Sequence, residues 1–376
     1  MDRQLWNALT QHPLSGWMRP GPALDVRLDR GSRLLWCGIG GSWLPSEALV
    51  MALGGEARSR WLPLVSPEPM AVDLRTEDQL VFASKSGRTL ELWTWIGRLR
   101  TLPGWGQWRE APLVITQDDG NPLAAWARRE GFRILPFPQD VGGRFSAFTA
   151  IGTLPLRWMG RDADAFIEGA RDALSQAERG DGEWGTRIWE MVRAFHQGYL
   201  SGVDQWVLLP YALRMEACGA WWVQLVAESL GKVARDGVRR GLMPVRAVGP
   251  QDQHAQLQRW LDGPRNVGVV LVTVDGVAAA GPGDVPAECP FPGLGRWNGA
   301  EILSAQAEGT REALESASVP VPHWHMEALD ERGLGAFLMA WQIIVGLTGF
   351  ALEIDPFDQP AVEAGKHRTL VRLGLA

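Results

Sequence analysis

A chain of 376 residues, 46% hydrophobic and 21% charged, has ordinary globular composition and enough length for roughly two domains. Its formal net charge of -6 argues against nucleic acid or an anionic membrane as bulk partners. A local cationic pocket for a small anion remains compatible with that balance. Three widely spaced cysteines, Cys37, Cys218 and Cys289, make neither a disulfide framework nor a metal knuckle, which suits a reducing compartment. The opening Met1-Asp2-Arg3-Gln4 leads into no apolar run, so no secretory leader and a cytoplasmic location are expected.

In chain order, the first half repeats one unit of apolar run, polar or glycine-rich turn, and helical pattern. Arg33-Leu34-Leu35-Trp36-Cys37 gives way to glycines and a helix from about Leu44. Leu80-Val81-Phe82-Ala83 runs into Ser84-Lys85-Ser86-Gly87, with a helix from Glu91. Leu113-Val114-Ile115-Thr116 meets Gln117 to Pro122, followed by Leu123-Ala124-Ala125-Trp126. Strands alternating with helices imply a parallel sheet covered on both faces, an α/β layer fold.

A mostly helical stretch spans about Asp162 to Gln197, and then the grammar resumes. Trp206 to Leu209 reads as a strand, Leu213 to Ala227 as a helix, and Val267 to Val274 as a buried strand. Gly276 to Gly299, rich in Gly and Pro, reads as an irregular excursion, with helices over Leu303 to Glu315 and Gly335 to Gly346. Gly333 to Leu352 carries no charge and is long enough to span a bilayer, yet its glycines and polar residues fit a buried core helix better. The expected division is residues 1–161, a helical connector at 162–197, a second sandwich at 198–352 and a C-terminal segment at 353–376.

In open parallel sheets, ligands bind beyond the carboxyl ends of the strands. The loop Gly38-Ile39-Gly40-Gly41-Ser42 lets backbone amides approach an anion at a helix start. Trp43 stands where a dinucleotide fingerprint needs glycine, and no Gly-Lys-Ser/Thr closes a P-loop. The loop Ser84-Lys85-Ser86-Gly87-Arg88-Thr89 brings hydroxyls and cations to a helix start, as a monophosphate cradle requires. Its alternative is a helix merely capped by Ser86 or Thr89. In Val141-Gly142-Gly143-Arg144-Phe145-Ser146 the glycines leave a guanidinium room to stabilise charge developing on oxygen, or simply to point to solvent.

Gln224 and Glu228 share a helix face after an apolar, Trp-containing stretch, which suits Glu228 as a carboxylate base. His254 stands at a helix start, and Lys366 follows a glycine near the C-terminus. His323 and His325 lie two apart on a strand without an obvious cysteine or carboxylate partner, so no metal site is expected. No Gly-x-Ser-x-Gly elbow supports Ser-His-Asp hydrolysis.

Taken together, six segments in order resemble the glucose-6-phosphate isomerase family across residues 33 to 366. They are Gly38–Ser42, Ser84–Gly87, Val141–Ser146, Glu228-Ser229-Leu230-Gly231-Lys232, Asp252-Gln253-His254, and Phe357-Asp358-Gln359-Pro360 with Glu363-Ala364-Gly365-Lys366. The resemblance implies two flavodoxin-like sugar-isomerase domains, a homodimer, a sugar-phosphate substrate and no cofactor or metal. It implies that Glu228 shuttles a proton between carbons 1 and 2 and that Arg144 holds the enediolate oxygen. It assigns ring opening to His254 and Lys366, with His254 reaching the neighbouring subunit's site. Gly41, Ser42, Ser84, Lys85, Ser86 and Thr89 match phosphate and sugar contacts, with Gly143, Gln224 and Gln359 nearby. Arg88 departs from the small hydroxyl residue usual in the family, and Trp43 and Pro45 from smaller residues. A dual phosphoglucose and phosphomannose isomerase, or a non-catalytic sugar-phosphate regulator, are the alternative readings.

Overall fold

Short apolar runs and glycine turns lay down the first half of the computed structural model, which describes residues 2–68, 70–276, 280–281 and 283–375. The first half contains α1 (Asp2–Gln11), β1 (Leu34–Cys37), α2 (Leu44–Leu53), β2 (Trp61–Leu64), β3 (Gln79–Ala83), α3 (Leu90–Leu99), β4 (Leu113–Thr116), α4 (Pro122–Glu130), β5 (Arg133–Pro136) and α5 (Ala150–Met159). Two long helices follow, α6 (Ala163–Arg179) and α7 (Gly182–Leu200). The second half runs β6 (Gln205–Pro210), α8 (Glu216–Leu230), β7 (Gly231–Val233), β8 (Arg239–Gly241), β9 (Met243–Arg246), α9 (Gln251–Asp262), β10 (Val267–Val274), α10 (Gly299–Ser316), β11 (His323–Met326), α11 (Glu331–Ala351) and α12 (Ala361–Arg372).

The first sheet has the order β2-β1-β3-β4-β5 and all its pairs are parallel. That is the flavodoxin-like order, with its switch point between β1 and β3. The second sheet has the order β9-β6-β10-β11, again all parallel, which is the same winding with one strand fewer. Strands β7 and β8 form a separate antiparallel pair immediately after α8.

Alternation along each strand divides the core. Leu34 and Trp36 of β1 face a large central cluster shared with Trp206 and Leu208 of β6, while Leu35 and Cys37 face an outer cluster with α3 and α4. Val207 and Leu209 face a third cluster with Trp260 of α9 and Leu314 of α10. The abundant tryptophans are mainly filling: Trp36, Trp158, Trp206, Trp221, Trp222, Trp324 and Trp341 are fully buried. The helical stretch after residue 162 is two helices, because Gly180 closes α6 in the left-handed region and α7 starts only at Gly182. The helix read over Leu213 to Ala227 starts later and ends later; Leu213–Met215 is a 3-10 turn before α8. Helix α11 is long and apolar enough to cross a membrane, yet every residue from Leu334 to Gly349 is buried, against α1, α6, α7 and α8. Val277, Ala278, Ala279 and Pro282 of the Gly276–Gly299 excursion lie outside the described residues.

Candidate active site

The carboxyl ends of β1 and β3 flank the first switch point, and both run into the loops singled out in the sequence. Gly40–Ser42 forms a 3-10 turn fastened by Trp36, whose indole N–H donates to the Ser42 carbonyl at 2.7 Å. Gly40 has φ +55, and a Cβ there would fall 2.8 Å from Gln224 Nε2. A Cβ on Gly41 would fall 2.1 Å from the Gly143 carbonyl oxygen, so the glycine loop and the Arg144 loop touch backbone to backbone. Ser146 Oγ donates to the Gly41 carbonyl and fixes that contact.

After β3, Ser84 Oγ bonds Thr89 Oγ1 at 2.8 Å and accepts from the Gly87 amide at 3.1 Å. Thr89 occupies the N-cap of α3, but its hydroxyl makes no cap bond to that helix. The first-turn amides of α3 therefore keep the capacity to meet an anion. Gly87, with φ +65, admits no side chain because Asn121 Oδ1 would lie 2.0 Å from its Cβ. Lys85 is half-buried and donates to the Val141 carbonyl at 2.8 Å. Burial first, then the charge of Arg144, lower its pKa. Ser86 and Arg88 are exposed, and Arg88 has no ion pair among the described residues.

Arg144 is 3% exposed and closely held. Its Nε donates to Ser229 Oγ at 2.7 Å, and its Nη2 to the carbonyls of Pro356 at 2.6 Å and Asp358 at 3.0 Å. Its Nη1 reaches Gln359 Oε1 at 3.1 Å and Glu228 Oε2 at 3.5 Å. Burial pulls its pKa down, and the carboxylates of Glu228, Asp358 and Asp355 oppose that. Glu228 sits in the last turn of α8 with 32% of its side chain exposed, and Gln224 Nε2 donates to its Oε1 at 2.9 Å. One segment, Asp355–Gln359, thus receives Arg144 from the first half and borders Glu228 from the second.

Lys232 enters the sequence reading only as part of the segment Glu228–Lys232, and the structure gives it a job. Its ammonium donates to the Asp355 carbonyl at 2.5 Å, to the Asp358 carbonyl, and to Asp358 Oδ1 at 2.6 Å. Two cations therefore grip the same turn. Its partners, two backbone carbonyls and the Asp358 carboxylate, lie more than a hundred residues away, which no local pattern announces.

Gly41, Ser42, Gly143, Arg144, Gln224, Glu228 and Gln359 come together here, with the Ser84–Thr89 loop across the switch point. His254 and Lys366 do not join them within this chain. His254 is exposed in the first turn of α9. Lys366 pairs with Glu363 at 2.7 Å on α12, a helix with no buried residue. The expectation that His323 and His325 have no carboxylate partner is corrected. His325 Nε2 lies 3.4 Å from Asp275 Oδ2, and Thr273 Oγ1 bonds both rings, at 2.8 and 3.1 Å. Asp275 follows β10, the neighbouring strand, so sequence separation hid it.

No family model matches the chain. It is 36% identical over 351 residues to a glucose-6-phosphate isomerase of Thermus thermophilus, covering 89% of this chain and 82% of that protein. It is 31% identical over 385 residues to a glucose-6-phosphate isomerase of Rubrobacter xylanophilus, covering 93% and 84% respectively. Among solved structures, a hypothetical protein from Thermus thermophilus superposes with TM-score 0.84 at 29% identity, covering 99% of this chain and 93% of that one. A glucose-6-phosphate isomerase from Chlamydia trachomatis shares the fold, with TM-score 0.73 at 19% identity over 99% of this chain and 73% of that one.

Proposed function

Because the chain belongs to the glucose-6-phosphate isomerase family, we propose how its own residues divide that family's reaction between them. The chain is an aldose-ketose isomerase that interconverts glucose 6-phosphate and fructose 6-phosphate. Moving a carbonyl between adjacent carbons requires a base for the carbon-bound proton and a cation for the oxygen that gains charge. Glu228 is the base, taking the proton from one carbon and returning it to the other. Arg144 holds the enediolate oxygen. The observation that carries this reading is their approach, Arg144 Nη1 to Glu228 Oε2 at 3.5 Å, with the guanidinium fixed by buried bonds and the carboxylate open to a substrate.

The phosphate sits on Ser84, Lys85, Ser86 and Thr89 at the start of α3, and Gly41 and Ser42 close the other side. Gln224 orients Glu228, Gln359 stands beside Arg144, and the Gly143 carbonyl marks where its loop meets Gly41. His254 and Lys366 open the sugar ring in a homodimer, with His254 supplied by the second copy. In support, α12 buries none of its residues within one chain, and Val362 and Val371 on it and Leu373 just after it are exposed. The same reading assigns residues 1–161 and 198–352 to two sugar-isomerase domains joined by 162–197. A cytoplasmic location fits the three free cysteines.

The test mixes Glu228→Gln subunits with His254→Ala subunits. Glu228→Gln alone is expected to lose turnover and carbon 2 proton exchange together by at least about a hundredfold, the low end for a general base, while still binding fructose 6-phosphate. Near-normal exchange in that variant would assign the base elsewhere. In mixed dimers one site would lose both groups and the other keep both, so activity should rise above either parent. No gain, with subunit exchange shown by differential tags, would sink the shared site and leave Glu228 standing.

A further inference from the structure

Four aromatic rings lie in series beside Arg144. Trp17 stacks on Phe145 with centroids 5.1 Å apart, Phe145 meets Phe357 at 5.0 Å, and Phe357 stacks on His12 at 4.4 Å. The two inner rings belong to the segments that hold the guanidinium. Phe145 follows Arg144 in the chain, and Phe357 lies between Pro356 and Asp358, whose carbonyls receive Nη2. The two outer rings come from a short N-terminal strap, residues 12–17.

Polar contacts tie the strap to the same two loops. The Gly16 amide donates to the Asp140 carbonyl at 2.9 Å, and Ser15 forms an antiparallel bridge with Val141, just ahead of Gly142-Gly143-Arg144. On the other side, His12 Nε2 lies 3.6 Å from Asp355 Oδ2. The other oxygen of Asp355 accepts the Phe357 amide at 2.8 Å. Because His12 Nδ1 accepts from the Leu14 amide at 3.1 Å, the ring proton of the neutral form sits on Nε2, facing Asp355.

We infer that His12 is a positioning residue for the isomerisation, acting through Phe357 and Asp355 to aim Arg144. The inference rests on the reading of Arg144 as the group that holds the enediolate oxygen. The stack fixes the height of the 355–359 turn, and the His12–Asp355 contact fixes its rotation. The carbonyls that orient the guanidinium belong to that turn, so they shift when it shifts. Misplacing a charge-stabilising group by about 1 Å costs rate. Ser42 and the Ser84–Thr89 loop take no part in the stack, so phosphate binding is spared.

The experiment measures kcat, KM for fructose 6-phosphate and carbon 2 proton exchange in His12→Ala and His12→Phe, each alone and combined with Arg144→Lys. His12→Ala is expected to lower kcat and exchange about tenfold with KM within about twofold, since orientation is lost and binding is not. His12→Phe keeps the stacked ring and should recover part of the loss. In the Arg144→Lys background His12→Ala should add little, because coupled residues are non-additive. Wild-type kcat in folded His12→Ala, or an equal fold-loss in both backgrounds, would overturn the inference. Full kcat in Arg144→Lys would instead sink the reading of Arg144 and take this inference with it. Should His12→Ala fail to fold by circular dichroism, His12→Phe and His12→Gln are judged by the same criteria.

Discussion

In the first sheet the strand order reverses between β1 and β3, and both strands run into loops of glycine and hydroxyl residues. In the second sheet the same reversal falls between β6 and β10, but there β6 runs into Tyr211. That ring is 2% exposed and lies against Gly249, where a Cβ would fall 2.8 Å away. Its hydroxyl is bonded to Gln253 and Thr310, each at 2.7 Å. The second crevice is plugged by a side chain, whereas glycine and hydroxyl loops stand at the same place in the first. The second half contributes Glu228 instead, from the carboxyl end of α8, where a helix offers partial negative charge and no welcome to an anion. On the proposed reading, the same winding yields an anion cradle in one half and a base in the other. Topology supplies the crevice, and the residues at the strand ends decide whether it is used.

The largest expected effect tests that contrast directly. Gly41→Ala pushes a methyl group into the Gly143 carbonyl, and should cut turnover and phosphate affinity by about a hundredfold or more through displaced loops. Tyr211→Phe, at the plugged crevice, should lower stability by about 0.5–1.5 kcal/mol for the lost hydrogen bonds, since Thr310 keeps its bond to the Gln306 carbonyl. Its affinity for inorganic phosphate should remain that of the wild type. Thermal midpoints and phosphate titrations of both variants check this; equal loss of phosphate affinity in the two would break the comparison.

A middle-sized effect concerns Lys85, the half-buried cation of the proposed cradle loop. With the pKa of Lys85 lowered by burial and by Arg144, its charged form is lost below the ordinary lysine value of about 10.4. Phosphate affinity should therefore fall as pH rises, beginning below that value, and Lys85→Met should weaken binding and flatten that limb. Stability responds in the opposite sense, since a lowered lysine pKa means the folded free protein gains stability as pH rises from its folded towards its unfolded value. A pH profile of KM unchanged by Lys85→Met would remove Lys85 from the cradle.

The smallest effect is at Arg88. Exposed and without an ion pair among the described residues, it should contribute about 0–1 kcal/mol to phosphate binding. Arg88→Thr should raise KM by no more than about fivefold and leave saturated turnover alone. A larger loss, measured as a KM ratio, would mean that Arg88 folds over the bound phosphate.

The strands that carry the site were legible because each is an uninterrupted apolar run meeting a glycine turn. Strand β2 escaped because Pro63 sits within it, and β5 and β9 because their exposed residues break the apolar signal. The residues of the cradle and the Gln224–Glu228 pair could be read locally, from turn chemistry and helix spacing. What aims Arg144 could not. Its acceptors include the backbone carbonyls of Pro356 and Asp358, and its buttress is a ring from residue 12, so both depend on long-range packing with no sequence signature.

Helix α11 has a bearing on how the chain is made. It is packed against α1 from the start of the polypeptide and α6, α7 and α8 from its middle, and its buried side chains complete the central cluster. On a ribosome working at about 5–20 residues per second, everything before residue 331 emerges before the post on which it must close. The helices already made would wait with their inward stripes uncovered. Such a nascent chain is expected to need holding until α11 has left the exit tunnel, and a chain stopped just ahead of α11 is expected to sediment as aggregate.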